Sequence, residues 1–157
     1  MALVALIYQF DSDKELGGYM QTFLPYQGCQ LTALVLDYRR LGKQRVEAWQ
    51  IYQTLIGNSK GWRNHPAVLM WKGYEEALLF YGWTMSREWV RRGYNGKIML
   101  ERFESILPMH NNLIWPLWYG NDDFHDSHKS NLLRKNPEHY IKYWPDVPDN
   151  LPYVWPV

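Results

Sequence analysis

Between positions 37 and 47 the chain reads Asp37-Tyr38-Arg39-Arg40-Leu41-Gly42-Lys43-Gln44-Arg45-Val46-Glu47. On a helix, Arg40, Lys43 and Glu47 fall three and four positions apart and share one face. Positive charge beside Glu47 favours its ionised form, and an ionised carboxylate can stabilise a developing cation or activate a nucleophile. The same cations, Arg39, Arg40, Lys43 and Arg45, suit a phosphate backbone. The plainer alternative is a solvated helix face carrying a Lys43–Glu47 pair worth about 0.5 kcal/mol or less.

Two further stretches carry reactive types. Gly61-Trp62-Arg63-Asn64-His65-Pro66 stands where a loop delivers a helix N-terminus, whose unpaired N–H groups suit phosphate. Arg63 and His65 are the candidate contacts there, although Asn64 or His65 could simply cap the helix. Exposed loop aromatics such as Trp62 or Tyr26 suit base stacking better than a helical stripe does. Asp122-Asp123-Phe124-His125-Asp126-Ser127-His128-Lys129 sets His125 and His128 on one helix face. No third ligand follows at a recognised spacing, so no metal and no other cofactor is expected. The remaining readings are phosphate contacts by His125, His128, Lys129 and Lys135, or a hydrogen-bonded helix entrance.

Charge agrees with a polyanionic partner without requiring one. The total is +1, but residues 20–102 hold twelve basic and six acidic side chains, against four and seven from 103 onward. Only the face that meets phosphate has to be positive. The lone cysteine, Cys29, excludes a disulfide scaffold and a CxxC metal site. The apolar opening Met-Ala-Leu-Val-Ala-Leu-Ile-Tyr is far shorter than the ~20 residues of a membrane span. A soluble, cytoplasmic protein is expected.

The elements that must position these groups are helical. Apolar residues recur at helical spacing from Leu31 to Leu55, with Asp37 able to cap a fresh start and Gly42 weakening the middle. Pro66 suits a first helical position, and Trp71, Tyr74, Leu78, Tyr81, Met85 and Trp89 then form one stripe. Gly93 and Tyr94 supply the left-handed stop and the apolar close of a Schellman motif. A third helix spans Asp123 to Lys135. Pro145, Pro148, Pro152 and Pro156 make the tail extended. The expected fold is mostly α: a single-domain bundle of about three main helices over residues 20–157, preceded by an appendage over residues 1–19.

Several motifs together carry a resemblance: Met-Gln-Thr-Phe-Leu-Pro-Tyr at 20–26, Leu-Asp-x-x-Arg-Leu-Gly-Lys-Gln-Arg-Val-Glu at 36–47, Gly-Trp-Arg-Asn-His-Pro-Ala at 61–67, Arg-Arg-Gly-Tyr at 91–94, and Phe-His-x-Ser-His-Lys-Ser-x-Leu-x-Arg-Lys-x-Pro-Glu-His-Tyr at 124–140. The chain resembles a bacterial and phage family that looks like a distant branch of the pyrimidine-dimer DNA glycosylases, the phage endonuclease V type. The resemblance implies an all-helical fold, duplex DNA as partner, and cleavage of the N-glycosidic bond of a damaged or modified base. It places the essential glutamate at Glu47, a phosphate contact at His128, and the family's Arg-Gly-Tyr at Arg92-Gly93-Tyr94. In that family the attacking group is the α-amine of a small residue exposed by removal of the initiator Met. Here the matching start is Met20-Gln21, and Gln is bulky for that removal. Lys43 is then a substitute amine, for a lyase step as well as base release, and water activated by Glu47 is the alternative. The rival functions are a hydrolase of free nucleotides or nucleosides and a non-catalytic DNA-binding module. A monomer is favoured.

Overall fold

The computed structural model describes residues 20–157, so the expected appendage at 1–19 lies outside the described residues. Among the described residues seven helices follow one another: α1 Cys29–Val35, α2 Tyr38–Leu55, α3 Pro66–Leu69, α4 Glu75–Arg91, α5 Lys97–Ile106, α6 Asp122–Lys135 and α7 Pro137–Tyr140. The long ones, α2, α4 and α6, are the three expected from periodicity; four shorter helices correct that count. No strand occurs among the described residues. No described helix is long and apolar enough to cross a membrane.

The expected helix from Leu31 to Leu55 is two helices with a break at Leu36-Asp37. Asp37 occupies the cap position of α2, yet its side chain does not cap. Its carboxylate instead accepts from the Tyr140 hydroxyl and pairs with Arg40 at 3.2 Å, which ties the entry of α2 to α7. The expected second helix is also divided. His65 caps α3 by accepting from the Ala67 N–H at 3.0 Å, with Pro66 at the first helical position. After one turn the chain passes through Gly73, at φ +87°, before α4 begins. Only glycine enters that left-handed region without penalty. The apolar stripe survives the interruption, because Trp71, Leu78, Tyr81 and Met85 are all fully buried. The stop of α4 matches expectation: Tyr94 N–H reaches Trp89 O and Gly93 N–H reaches Val90 O, the Schellman pair.

The core forms where α2 crosses α4 and α5 covers the crossing. A Cβ at Gly82 would lie 2.3 Å from the Phe103 ring and 3.0 Å from Ala48, so only hydrogen lets α4, α5 and α2 meet there. A Cβ at Gly42 would meet the Trp89 ring at 2.8 Å. The glycine that weakens α2 by propensity is therefore a packing requirement. α5 fully buries only Phe103 and packs Met99 against the core beside it; its apolar residues do recur at helical spacing, and the expected three-helix count leaves it out. The tail from Trp144 onward lacks helix, as expected, and is pinned to α6 through Ser127 and Ser130, which accept from the Val154 and Leu151 N–H groups.

Candidate active site and nucleic-acid face

Residues 20–24 form an irregular segment buried among α2, α4 and α6. Backbone polar groups removed from water must find partners, and here side chains supply them. The Gln21 N–H approaches Glu47 Oε2 at 3.4 Å. The Phe23 N–H donates to Gln44 Oε1 at 2.8 Å, and the Phe23 carbonyl lies 2.8 Å from the Tyr81 hydroxyl. The Leu24 peptide is held on both sides by α6. Its N–H donates to His128 Nδ1 at 2.9 Å, while His125 Nδ1 lies 2.7 Å from its carbonyl. Gly120 N–H donates to His125 Nε2 at 2.9 Å, so the His125 proton sits on Nδ1 and is given to Leu24. Trp71 Nε1 donates to Thr22 Oγ1.

Glu47 is only 3% exposed and also accepts from Gln44 Nε2 at 3.0 Å. Burial pushes its carboxyl up from the ordinary range to about 8; Lys43, the Gln21 N–H, Gln44 and Lys135 all pull the other way without prevailing. This corrects the expectation that neighbouring cations keep Glu47 ionised: desolvation outweighs them, and at neutral pH the acid form predominates. Lys43 does share the Glu47 face, half-buried one turn earlier.

The expected phosphate contacts divide into two groups. His125 and His128 are buried; both ring nitrogens of His125 and Nδ1 of His128 are committed to backbone, while His128 Nε2 is buried without a hydrogen-bond partner. Burial pushes His128 down to about 3, so it is neutral at physiological pH, and His125 is lowered by the same cause. Both are clamps on Leu24 rather than surface contacts, because the segment they hold brings no other donor or acceptor for its own peptide. Arg45 stacks on Trp89, 4.6 Å from the ring centre, on a different side of α2 from Glu47. Its guanidinium packs in the crossing with α4 rather than facing phosphate. His65 is spent as a cap, and α3 is too short to offer the expected helix-terminus seat. Lys129 pairs with Asp126 at 3.2 Å and lies over the Tyr26 ring. Tyr26 is half-buried and accepts from Trp144 Nε1, which removes it as a stacking surface. Arg63 remains exposed on the loop before α3.

Arg39 and Arg40, by contrast, line an open pocket of about 450 Å³ with Asp37, Tyr38, Arg92, Lys135, Asn136 and His139. The sequence reading had no means of joining the start of α2 to Arg92 and His139. The signal was the long-range order of the chain: α7 returns to α1, with His139 Nε2 2.8 Å from the Val35 carbonyl, while Arg92 donates to the Ala33 and Leu34 carbonyls that end α1. Lys135 joins pocket to carboxyl, since it lines the one and acts electrostatically on Glu47.

Residues 20–102 match the family model of the pyrimidine dimer DNA glycosylases. The chain belongs to that family. No curated protein and no solved structure matches it. Within this glycosylase-family chain, the matched stretch contains Gln21, Lys43, Gln44, Glu47, Tyr81 and the arginines of the pocket. His125, His128, Lys135 and His139 lie beyond it, on the helices that close over the matched part.

Proposed function

We propose that the protein binds duplex DNA and cleaves the N-glycosidic bond of a damaged or modified base, with Glu47 as the catalytic carboxyl. The observation that carries this reading is the meeting of the Gln21 backbone nitrogen with Glu47 at 3.4 Å, with Lys135, which acts electrostatically on that carboxyl, lining a basic pocket. In the reaction the bond between C1′ and the base nitrogen breaks, and the base leaves with the electron pair and gains a proton. Water or an amine bonds to C1′. A carboxyl that titrates near pH 8 serves either side of this step, as acid toward the leaving base or sugar, or as carboxylate toward the sugar cation and the nucleophile's proton. A flipped nucleotide must reach it, with Arg39, Arg40 and Lys135 holding the backbone.

Two amines compete for the lyase role: Lys43, and the Gln21 nitrogen in a chain processed to begin there. Borohydride trapping on a panel of modified duplexes, run with the full chain and with a chain starting at Gln21, tests both. Trapping restored only in the shorter chain assigns the α-amine; an adduct mapped to Lys43 assigns the side chain. Base release with no trapping leaves the hydrolytic route. The burial of Glu47 favours one rival, a non-catalytic DNA-binding module that retains the carboxyl as a backbone acceptor. DNA binding without base release from any duplex in the panel would establish that rival instead.

A further inference from the structure

We propose that Trp62 stacks on a nucleobase of the bound duplex and holds it apart from its neighbours, at the opposite end of α2 from the basic pocket. Resting on the DNA-binding reading above, this adds a residue which that reading does not use. Among the described residues Trp62 is the one non-glycine at positive φ, +64°, and the residue is 49% exposed. An L residue is penalised in that region and a glycine is not. Aromatic burial does not compensate, because the ring makes one ring contact, edge-on to His65 at 5.4 Å between centroids. The loop thus spends backbone strain to present a large flat side chain to solvent, between the exposed cations Lys60 and Arg63.

Its position suits the role. From Trp62 a succession of ring contacts leads inward through His65, Trp155 and Tyr153 to His128, with Tyr153 and His128 stacked at 4.7 Å. Tyr153 lies within electrostatic reach of the Glu47 carboxyl. The basic pocket sits at the start of α2 and Trp62 just past its end, with Glu47 near the middle. At 1.5 Å per residue α2 is about 27 Å long, the axial length of about eight base pairs of duplex. Phosphates gripped at one end and a base stacked at the other would bracket the nucleotide presented to Glu47.

The test uses a short duplex carrying a stable tetrahydrofuran abasic analogue flanked by 2-aminopurine, whose fluorescence reports stacking. Trp62→Gly should melt at or above the wild-type temperature, since the strain is relieved. Its affinity should fall about ten- to hundredfold, the 2-aminopurine response should vanish, and the salt dependence should stay unchanged because no charge is lost. Trp62→Phe should recover most of the affinity. A Trp62→Gly protein that binds with wild-type affinity overturns the inference, as does one whose melting temperature drops while its 2-aminopurine response persists. Trp62-dependent binding without base release from any modified duplex would leave the stacking role standing and remove the glycosylase reading. Base release unaffected by Trp62→Gly would do the reverse. Failure of the wild-type protein to bind the duplex at any salt concentration would remove both.

Discussion

The segment 20–24 and the pocket at the start of α2 handle polar groups in opposite ways. Around the segment, Gln44, Glu47, Tyr81, His125 and His128 are all buried, and their hydrogen bonds go to backbone or to one another. The pocket is open, and two of its arginines make ion pairs within the protein: Arg40 with Asp37, Arg92 with Glu88. Disturbing the first should unfold the protein before it affects a ligand, whereas in the second the exposed Arg39 should affect a ligand and little else, and Arg92, bonded to the end of α1, should affect both. Residue type does not separate them, since both contain carboxyl groups and histidines. What separates them is whether water can reach the groups.

The largest effect should come from Gln44→Leu. The substitution leaves the Phe23 N–H without its acceptor and takes away the Gln44 donor to Glu47. Each buried group left unpaired costs about 1–3 kcal/mol, so denaturant unfolding should show a loss of about 3 kcal/mol or more. A loss below about 1 kcal/mol would mean that residues 20–24 are not anchored by these contacts, and the contrast between the two regions would fail.

Stability against pH sharpens the contrast next. Glu47 is raised to about 8 in the folded chain, so the fold binds a proton that the unfolded chain gives up near 4.5; its contribution is complete below that and is lost as pH rises through 8. His128 is lowered from 6.5 to about 3, so its contribution is complete above 6.5 and is lost as pH falls toward 3. The two slopes oppose each other between about 4.5 and 6.5, which should give a plateau flanked by declines approaching 1.4 kcal/mol per pH unit. Glu47→Gln should abolish the alkaline decline while keeping shape and hydrogen bonds. It should also lower base release by about a hundredfold or more if the carboxyl takes part in the reaction. Wild-type base release from this folded variant would end the catalytic assignment.

The end of α2 at Leu55, a cap just before Pro66 and the Schellman stop at Gly93 were legible in sequence because each is local: a few residues and one backbone geometry decide them. A fresh start at Asp37 was legible only as an alternative to one continuous helix, and the break at Gly73 was not, since an apolar stripe keeps its phase across a one-turn interruption. Glu47 was legible as a residue but not as a chemical state. Its sequence neighbours are cations, and the burial that outweighs them comes from residues 20–24 and from α6, far along the chain. His125 and His128 stayed open between phosphate contacts and a hydrogen-bonded helix entrance for the same reason. A histidine in a polar helix start looks solvent-facing until the tertiary structure gives it a peptide to hold.

In the pocket, a moderate effect is expected on binding. Lys135→Ala should weaken duplex affinity and reduce the slope of log affinity against log salt by about one. Arg92→Ala should behave otherwise, because Arg92 bonds Glu88 and two carbonyls at the end of α1. Thermal melting should detect that loss directly.

The smallest change should come from Arg39→Ala, the cleanest probe of the open region. Arg39 is fully exposed, and the contact its guanidinium makes is with the hydroxyl of the adjacent Tyr38, at 3.3 Å. Solvent replaces that contact without cost, so melting should not respond. A phosphate contact would appear only in binding, again as a reduction of about one in the salt slope and equally for modified and unmodified duplex, because phosphate carries no base identity. An unchanged slope would leave Arg39 as ordinary solvated surface and confine the DNA-facing charge to Arg40 and Lys135. A preference lost for one duplex over the other would be more informative, since it would put Arg39 against the base rather than the backbone and shift the boundary between the two regions toward the start of α2.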